Sequence, residues 1–288
     1  MEKILVPCDF SEPAKGALRL AIEIAGQLGA ELHVLNVVEL PIMHDDMLTP
    51  MPSFDETLLR ELSQRSEERF EEWKSDFAGD KSMLTKVEFG PIVPTILDYL
   101  DDNGITLVVM GTKGVSGLQE VFIGSTAEKM VRHATCPVIV VKRNVSLDEL
   151  KHIVFPNSLE EGQEDLIHHV KLLQQALNAT LHLVWIDTST KISDYAAIKQ
   201  QLDDLAKRFM LTDYTVNVFK SNDKETGIIK FTQWINASMI AMGTHARKGL
   251  SHLFKGSITE GVVNHVEYPI WTYAIKADSS QRSADSVK

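Results

Sequence analysis

Five residues in the first half of the chain have the types and spacing of a phosphate cradle: Gly111, Gly114, Gly124, Ser125 and Thr126, in the pattern G-x-x-G-x9-G-[ST]. Gly111 and Gly114 let the backbone approach a ligand closely or take a positive φ. Gly124 bares the first amides of a helix, and Ser125 and Thr126 add hydroxyl donors beside them. Free N–H groups at a helix start, aligned with the helix dipole, suit a phosphate. Met110, Thr112 and Lys113 belong to the same turn. Lys113 either neutralises a phosphate or is a solvated loop lysine. Asp9 could accept hydrogen bonds from ribose hydroxyls, hold a metal ion, or cap the following helix. The pattern is neither a P-loop nor G-x-G-x-x-G, because no Gly-Lys-Ser/Thr occurs in it.

The elements that must position these residues alternate between strand and helix. Lys3–Pro7 is a short apolar run that predicts a buried strand. A helix over Ala14–Leu28 follows, with Ser11 as N-cap, Pro13 in its first turn and Gly29 at its end. Glu31–Val38 reads as a second strand, Leu58–Phe77 as an amphipathic helix, Leu84–Phe89 as a third strand and Ile92–Leu100 as a third helix. Leu107–Met110, a helix opening at Gly124, and Val138–Lys142 complete the set. Alternation of this kind predicts right-handed βαβ crossovers and a mostly parallel, five-stranded, doubly wound (Rossmann-like) sheet. In such a sheet ligands bind beyond the carboxyl ends of the strands, where the strand order reverses. Asp9 and Gly111 both follow strand ends.

The chain then repeats itself. Met-Gly-Thr begins at Met110 and at Met242, Gly-Ser at Gly124 and at Gly256, and Pro137 matches Pro269, all 132 residues apart. The first strand matches His152–Pro156 at an offset of 149, so the second copy is shorter, and the extra length of the first falls in its Pro- and Met-rich stretch Leu40–Pro52. A repeat on this scale is a stronger signal than any single motif. Strands are expected at Ile153–Phe155, Thr180–Trp185, Tyr214–Val218, Met239–Met242 and Ile270–Ala274. The organisation is therefore two tandem α/β domains, 1–145 and 150–276, with a polar, frayed tail at 277–288. The last strand of each copy is apolar and ends its sheet, so the two copies are expected to pair there as an internal pseudo-dimer. Association of two chains into a homodimer is left open.

With 288 residues, 44% of them hydrophobic, each copy can bury a core of its own. A net charge of −11 argues against nucleic acid as a partner. It also means that a bound polyphosphate needs backbone donors or a cation such as Mg²⁺. Cys8 and Cys136 lie in apolar runs and read as buried hydrophobes in a reducing cytoplasm. No long apolar segment suggests a signal peptide or a membrane span. Among the ten histidines, His168 and His169 point in different directions, and His245 and His252 lack companions at ligand spacing, so no metal site is expected.

The opening KILVPCDFSEPA, the signature from Gly111 to Thr126, and the finish CPVIVVK together resemble the universal stress protein family over nearly all of the first copy. The resemblance implies an adenine nucleotide (ATP, or AMP or ADP) as ligand, with the fold of the adenine nucleotide α-hydrolase type. It places Gly111, Gly114, Gly124, Ser125 and Thr126 around the phosphates, Asp9 at the ribose, and Pro7 and Val37 at the adenine. The second copy departs from the pattern: Ala246 replaces the second glycine, and Ser158 or Asn157 stands where the strand-one carboxylate should be, although Gly256 and Ser257 survive. The second copy is expected to act mainly as a structural partner. No nucleophile, base and orienter occur together, so a sensor or binding module with at most slow hydrolysis is favoured over a dedicated enzyme. The alternatives are an interaction scaffold without ligand and an adenylate-forming enzyme.

Overall fold

A computed structural model describes residues 1–40, 56–77, 83–112, 123–190, 194–246 and 258–276. The insertion after the second strand, Lys113 and Gly114, Gly256 and Ser257, and the C-terminal tail lie outside the described residues.

The first half runs β1 (Lys3–Pro7), α1 (Glu12–Leu28), β2 (Glu31–Val38), α2 (Glu56–Asp76), β3 (Met83–Phe89), α3 (Ile92–Asn103), β4 (Leu107–Gly111), α4 (Ser125–His133) and β5 (Val138–Val141). A short 3₁₀ turn at Leu147–Glu149 leads into the second half. That half runs β6 (His152–Pro156), α5 (Glu164–Leu177), β7 (Thr180–Asp187), α6 (Tyr195–Arg208), β8 (Tyr214–Lys220), α7 (Lys224–Trp234), β9 (Met239–Ala246), α8 (Ile258–His265) and β10 (Ile270–Lys276). Among these helices none is long and apolar enough to cross a membrane.

Local signals act as the sequence predicts. The Ser11 hydroxyl accepts from the Ala14 amide, Pro13 sits in the first turn of α1, and Gly29 ends the helix in the left-handed region at φ 66°.

All ten strands form one sheet in the order β3-β2-β1-β4-β5-β10-β9-β6-β7-β8. Each half is parallel and doubly wound. The halves meet where β5 pairs antiparallel with β10, Ile270 opposite Val140, Trp271 opposite Ile139 and Thr272 opposite Val138. Ile139 and Trp271 are wholly buried there. On one face α1, α2, α5 and α6 cover a single apolar core that runs through both halves, from Ile4 and Leu20 to Val170 and Leu202. On the other face α3 and α4 cover one cluster and α7 and α8 another. Ile123 packs against both of these.

Several strands run past their expected ends: β7 reaches Asp187, β8 Lys220 and β10 Lys276, and β9 differs most. β9 continues to Ala246, beyond the Met242 that the apolar run suggests, because β10 extends beside it and pairs Tyr273 to Lys276 with Gly243 to Ala246. β5 stops at Val141, and β4 pairs with it as far as Gly111, one residue beyond its own apolar run.

Gly111 itself is required by packing. A Cβ there would fall 2.6 Å from the Pro13 carbonyl carbon and 2.7 Å from its oxygen, at the start of α1. The equivalent Gly243 faces only the tips of Ile275 and Leu166, each 2.8 Å away. Gly111→Ala should therefore cost about 1–3 kcal/mol, since backbone cannot step aside, whereas flexible side chains should make Gly243→Ala the milder change. Urea titration of the two variants checks this, and equal losses would contradict it. At the seam, Trp271→Ala should lower stability by about 3–5 kcal/mol in the same titration, as for any large buried aromatic.

Candidate functional site

The chain leaves β1 for β2 and β3 on one side and returns to β4 on the other, so the order of the first half reverses between β1 and β4. Connections that diverge in this way open a crevice at the carboxyl ends of the two central strands. Among the described residues three segments border it: the turn after β1, the end of β2, and the end of β4 with the start of α4.

The turn after β1 is bolted from several sides. The Cys8 amide donates to the Leu35 carbonyl at 2.8 Å. Asn36 is buried, and its side-chain amide donates to the Cys8 carbonyl at 2.7 Å while its oxygen accepts from the Ser66 hydroxyl of α2 at 2.8 Å. Phe10 holds a positive φ of 61°, which is uncommon for an aromatic residue. Its surroundings fix that conformation: its ring meets Phe70 at 5.0 Å and Trp73 at 5.4 Å, and the Arg69 guanidinium lies 4.5 Å over it and donates to its carbonyl. Asp9 stands between Cys8 and Phe10, half-buried, and one of its carboxylate oxygens accepts from the Ser11 amide at 3.0 Å. Asp9 thus shapes the turn that feeds the cap of α1. Burial pushes the Cys8 thiol up to about 12, with the Phe10 amide offsetting part of the effect, so Cys8 is no nucleophile at this mouth.

At the end of β2, Val37 lies half-buried on the same face as Leu5, Leu35 and Met110. Pro7 ends β1 beside them. At the end of β4, Thr112 is buried and its carbonyl accepts from the Gly124 amide at 2.5 Å. That bond ties the two ends of the glycine signature together. Gly124 caps α4 without a side chain, at φ −62° and ψ 149°, and the Glu128 amide makes the first helical bond to the Gly124 carbonyl. The amides of Ser125, Thr126 and Ala127 precede that bond, so the helix gives them no partner. The structure thus brings Pro7, Asp9, Val37, Met110, Gly111, Thr112, Gly124, Ser125 and Thr126 to the strand ends of one half-sheet, while Lys113 and Gly114 fall outside the described residues. Among the described residues no group of three or more His, Cys, Asp or Glu could hold a metal ion.

The same place in the second half is built from different chemistry. The Asn157 amide donates to the Val184 carbonyl, and Leu159 takes a φ of 58°, matching Cys8 and Phe10 in turn. Ser158 therefore occupies the Asp9 position, and Gln163 donates to its hydroxyl at 2.9 Å. At the end of β7 the carboxylate of Asp187 is wholly buried. It accepts from the Ser189 amide and hydroxyl, the Tyr195 hydroxyl and the Lys220 ammonium, at 2.7 to 3.0 Å. The Ser189 hydroxyl above all, with the Ser189 amide, Lys220 and Tyr195, holds Asp187 well below the usual carboxylate range. Among the described histidines, His169 stacks on Tyr273 at 4.1 Å.

Sequence reasoning passes over Asn36, Ser66, Arg69 and Asp187. The cue for Asn36 is a polar residue inside the apolar run of β2, which must find partners when buried. The cue for Asp187 is of the same kind. Phe10 carries no cue, because its φ is imposed by contacts from α2.

The profile described as the universal stress protein family matches this chain twice, at residues 1–142 and 149–273. Universal stress protein YxiE of Bacillus subtilis is 30% identical over 147 residues, covering 49% of this chain and 98% of that protein. Universal stress protein MJ0531 of Methanocaldococcus jannaschii is 28% identical over 142 residues, covering 49% of this chain and 82% of that protein. The crystal structure of a universal stress protein from Archaeoglobus fulgidus shares the fold across both halves, at TM-score 0.77 and 19% identity, covering 95% of this chain and 98% of that one. Two matches in tandem on one continuous sheet make this chain a member of the universal stress protein family that carries the family unit twice.

Proposed function

We propose that the first copy binds an adenine nucleotide, ATP or its di- or monophosphate, and that the chain serves as a nucleotide-responsive stress module. The observation that carries this reading is the convergence of Asp9 and the start of α4 on the reversal point between β1 and β4. The adenine lies against Pro7, Val37 and Met110, the apolar side of the mouth. The ribose diol donates to the Asp9 carboxylate, whose orientation the Ser11 amide and the bolted turn fix in advance. The phosphates accept from the amides of Ser125 and Thr126, with Gly111, Thr112, Lys113, Gly114 and Gly124 forming the backbone around them.

A chain of net charge −11 repels a polyphosphate at long range, so the nucleotide brings Mg²⁺ on its own phosphates. Cys8 is neutral at the mouth, and the described mouth residues supply no base aimed at a water, which favours binding over turnover. The second copy is read as a support, because Ser158 stands at the Asp9 position and the Asp187 carboxylate is engaged by its own neighbours, which leaves no carboxylate there for a ribose.

Isothermal titration with MgATP tests the reading. One site per chain is expected on the intact protein. Gly114→Ala, which places in the first copy the residue that the second copy carries, should weaken binding at least about tenfold, or about 1.4 kcal/mol. Asp9→Asn keeps an acceptor for the Ser11 amide but loses the charge, and it should weaken ribose-containing ligands while leaving the fold intact. No binding to the intact chain sinks the proposal, and two equal sites sink the assignment to the first copy alone.

A further inference from the structure

We propose that Asn264, a residue of the second copy, is a positioning residue for the nucleotide site of the first, so that the two copies build one binding unit. The inference rests on the nucleotide reading above and adds to it how the site is held.

The phosphate side of the site depends on where α4 begins, and two consecutive amides fix that point. Gly124 donates to the Thr112 carbonyl, from within the first copy. Ile123 donates to the side-chain oxygen of Asn264 at 3.2 Å, across 141 residues of sequence. Thus one of the two bonds that close the signature comes from the other copy. The amides of Ser125 and Thr126 follow at once, so a shift at Ile123 moves them directly.

Asn264 is itself well anchored. Its carbonyl accepts from the Lys142 ammonium at 3.1 Å, at the end of β5. Its helix, α8, is seated by Val262 and Val263, both buried. Ile123 lies between the apolar clusters of the two halves and packs on both. Further along α4, the Thr244 hydroxyl of β9 donates to the Val131 carbonyl at 3.4 Å. The second copy therefore grips α4 at its start and again near its end.

Among the described residues the clamp runs in one direction. The residue that corresponds to Asn264 in the first copy, 132 positions earlier, is Arg132. A guanidinium has donors and no acceptor, so it can take no backbone amide from the second copy. Arg132 pairs instead with Glu128 on its own helix at 2.9 Å. The asymmetry matches the mouths: the copy that keeps Asp9 is the copy whose phosphate helix is held from outside.

The test uses the full chain and two variants, Asn264→Leu and Asn264→Asp. Leucine fills the place without an acceptor, whereas aspartate keeps one. In nucleotide-free protein, NMR-detected hydrogen exchange at the Ile123 amide should be faster in Asn264→Leu and near the parent rate in Asn264→Asp. In MgATP titration below the unfolding transition, Asn264→Leu should bind about three- to tenfold more weakly at unchanged stoichiometry. A purely structural role would move the midpoint and leave the affinity of the folded protein alone. Unchanged exchange in Asn264→Leu overturns the clamp. Faster exchange with unchanged affinity overturns the positioning role while the nucleotide reading stands. Failure of the intact chain to bind MgATP overturns both.

Discussion

An apolar strand at the edge of a sheet carries unpaired N–H and C=O groups and an uncovered apolar surface, and it must be covered. In this chain each copy covers the other. β5 and β10 pair antiparallel over Val138 to Val140 and Ile270 to Thr272, and the residues they bring together are among the most deeply buried in the molecule. The rest of the architecture follows from that seam. Once it closes, the two half-sheets become one, the cores beneath α1 and α5 become continuous, and α4 is pressed against β9 and β10 of its neighbour. The Gln27 side-chain amide then reaches the Ala176 carbonyl, and the Glu23 carboxylate accepts from the Leu147 amide, stitching the linker and α5 to α1.

The seam also explains the contrast between the two mouths. Duplication preserves what the seam and the cores require: strand order, the positive φ at Phe10 and Leu159, and the glycine that follows the apolar run of β4 and of β9, Gly111 and Gly243. It does not constrain the polar residues at the strand ends, which touch neither seam nor core. There the copies diverge, to Asp9 in one and to Ser158 with a saturated Asp187 in the other. A carboxylate that accepts from four donors is costly to disturb, because removing a partner leaves part of its charge uncompensated.

Much of this was legible in the residues. The strands show as short apolar runs, the repeat shows as constant offsets, and the apolar last strands point to the seam. What escaped is what depends on contacts between elements distant in sequence. The reach of β9 to Ala246 depends on the length of its partner β10, not on its own polarity. The role of Gly111 in packing depends on Pro13, nearly a hundred residues away, so its type alone suggests only backbone freedom or ligand approach. Asn157 and Ser158 compete for the Asp9 position in sequence, and only the paired amide bonds of Cys8 and Asn157 fix the register.

These long-range contacts share a direction. The Asn36–Ser66 bond fixes the turn that holds Asp9, the Gly111–Pro13 contact fixes where β4 ends, and the Thr112–Gly124 bond fixes where α4 starts. Each acts on the first mouth, and each arises from the backbone or a small side chain rather than from a mobile charged one. A site held in this way is pre-organised, so little ordering entropy is lost when a ligand arrives. The bond from Asn264 to Ile123 extends the same construction across the seam. The second copy thereby has a physical part in the first, because the seam that covers its edge also brings α8 to the start of α4.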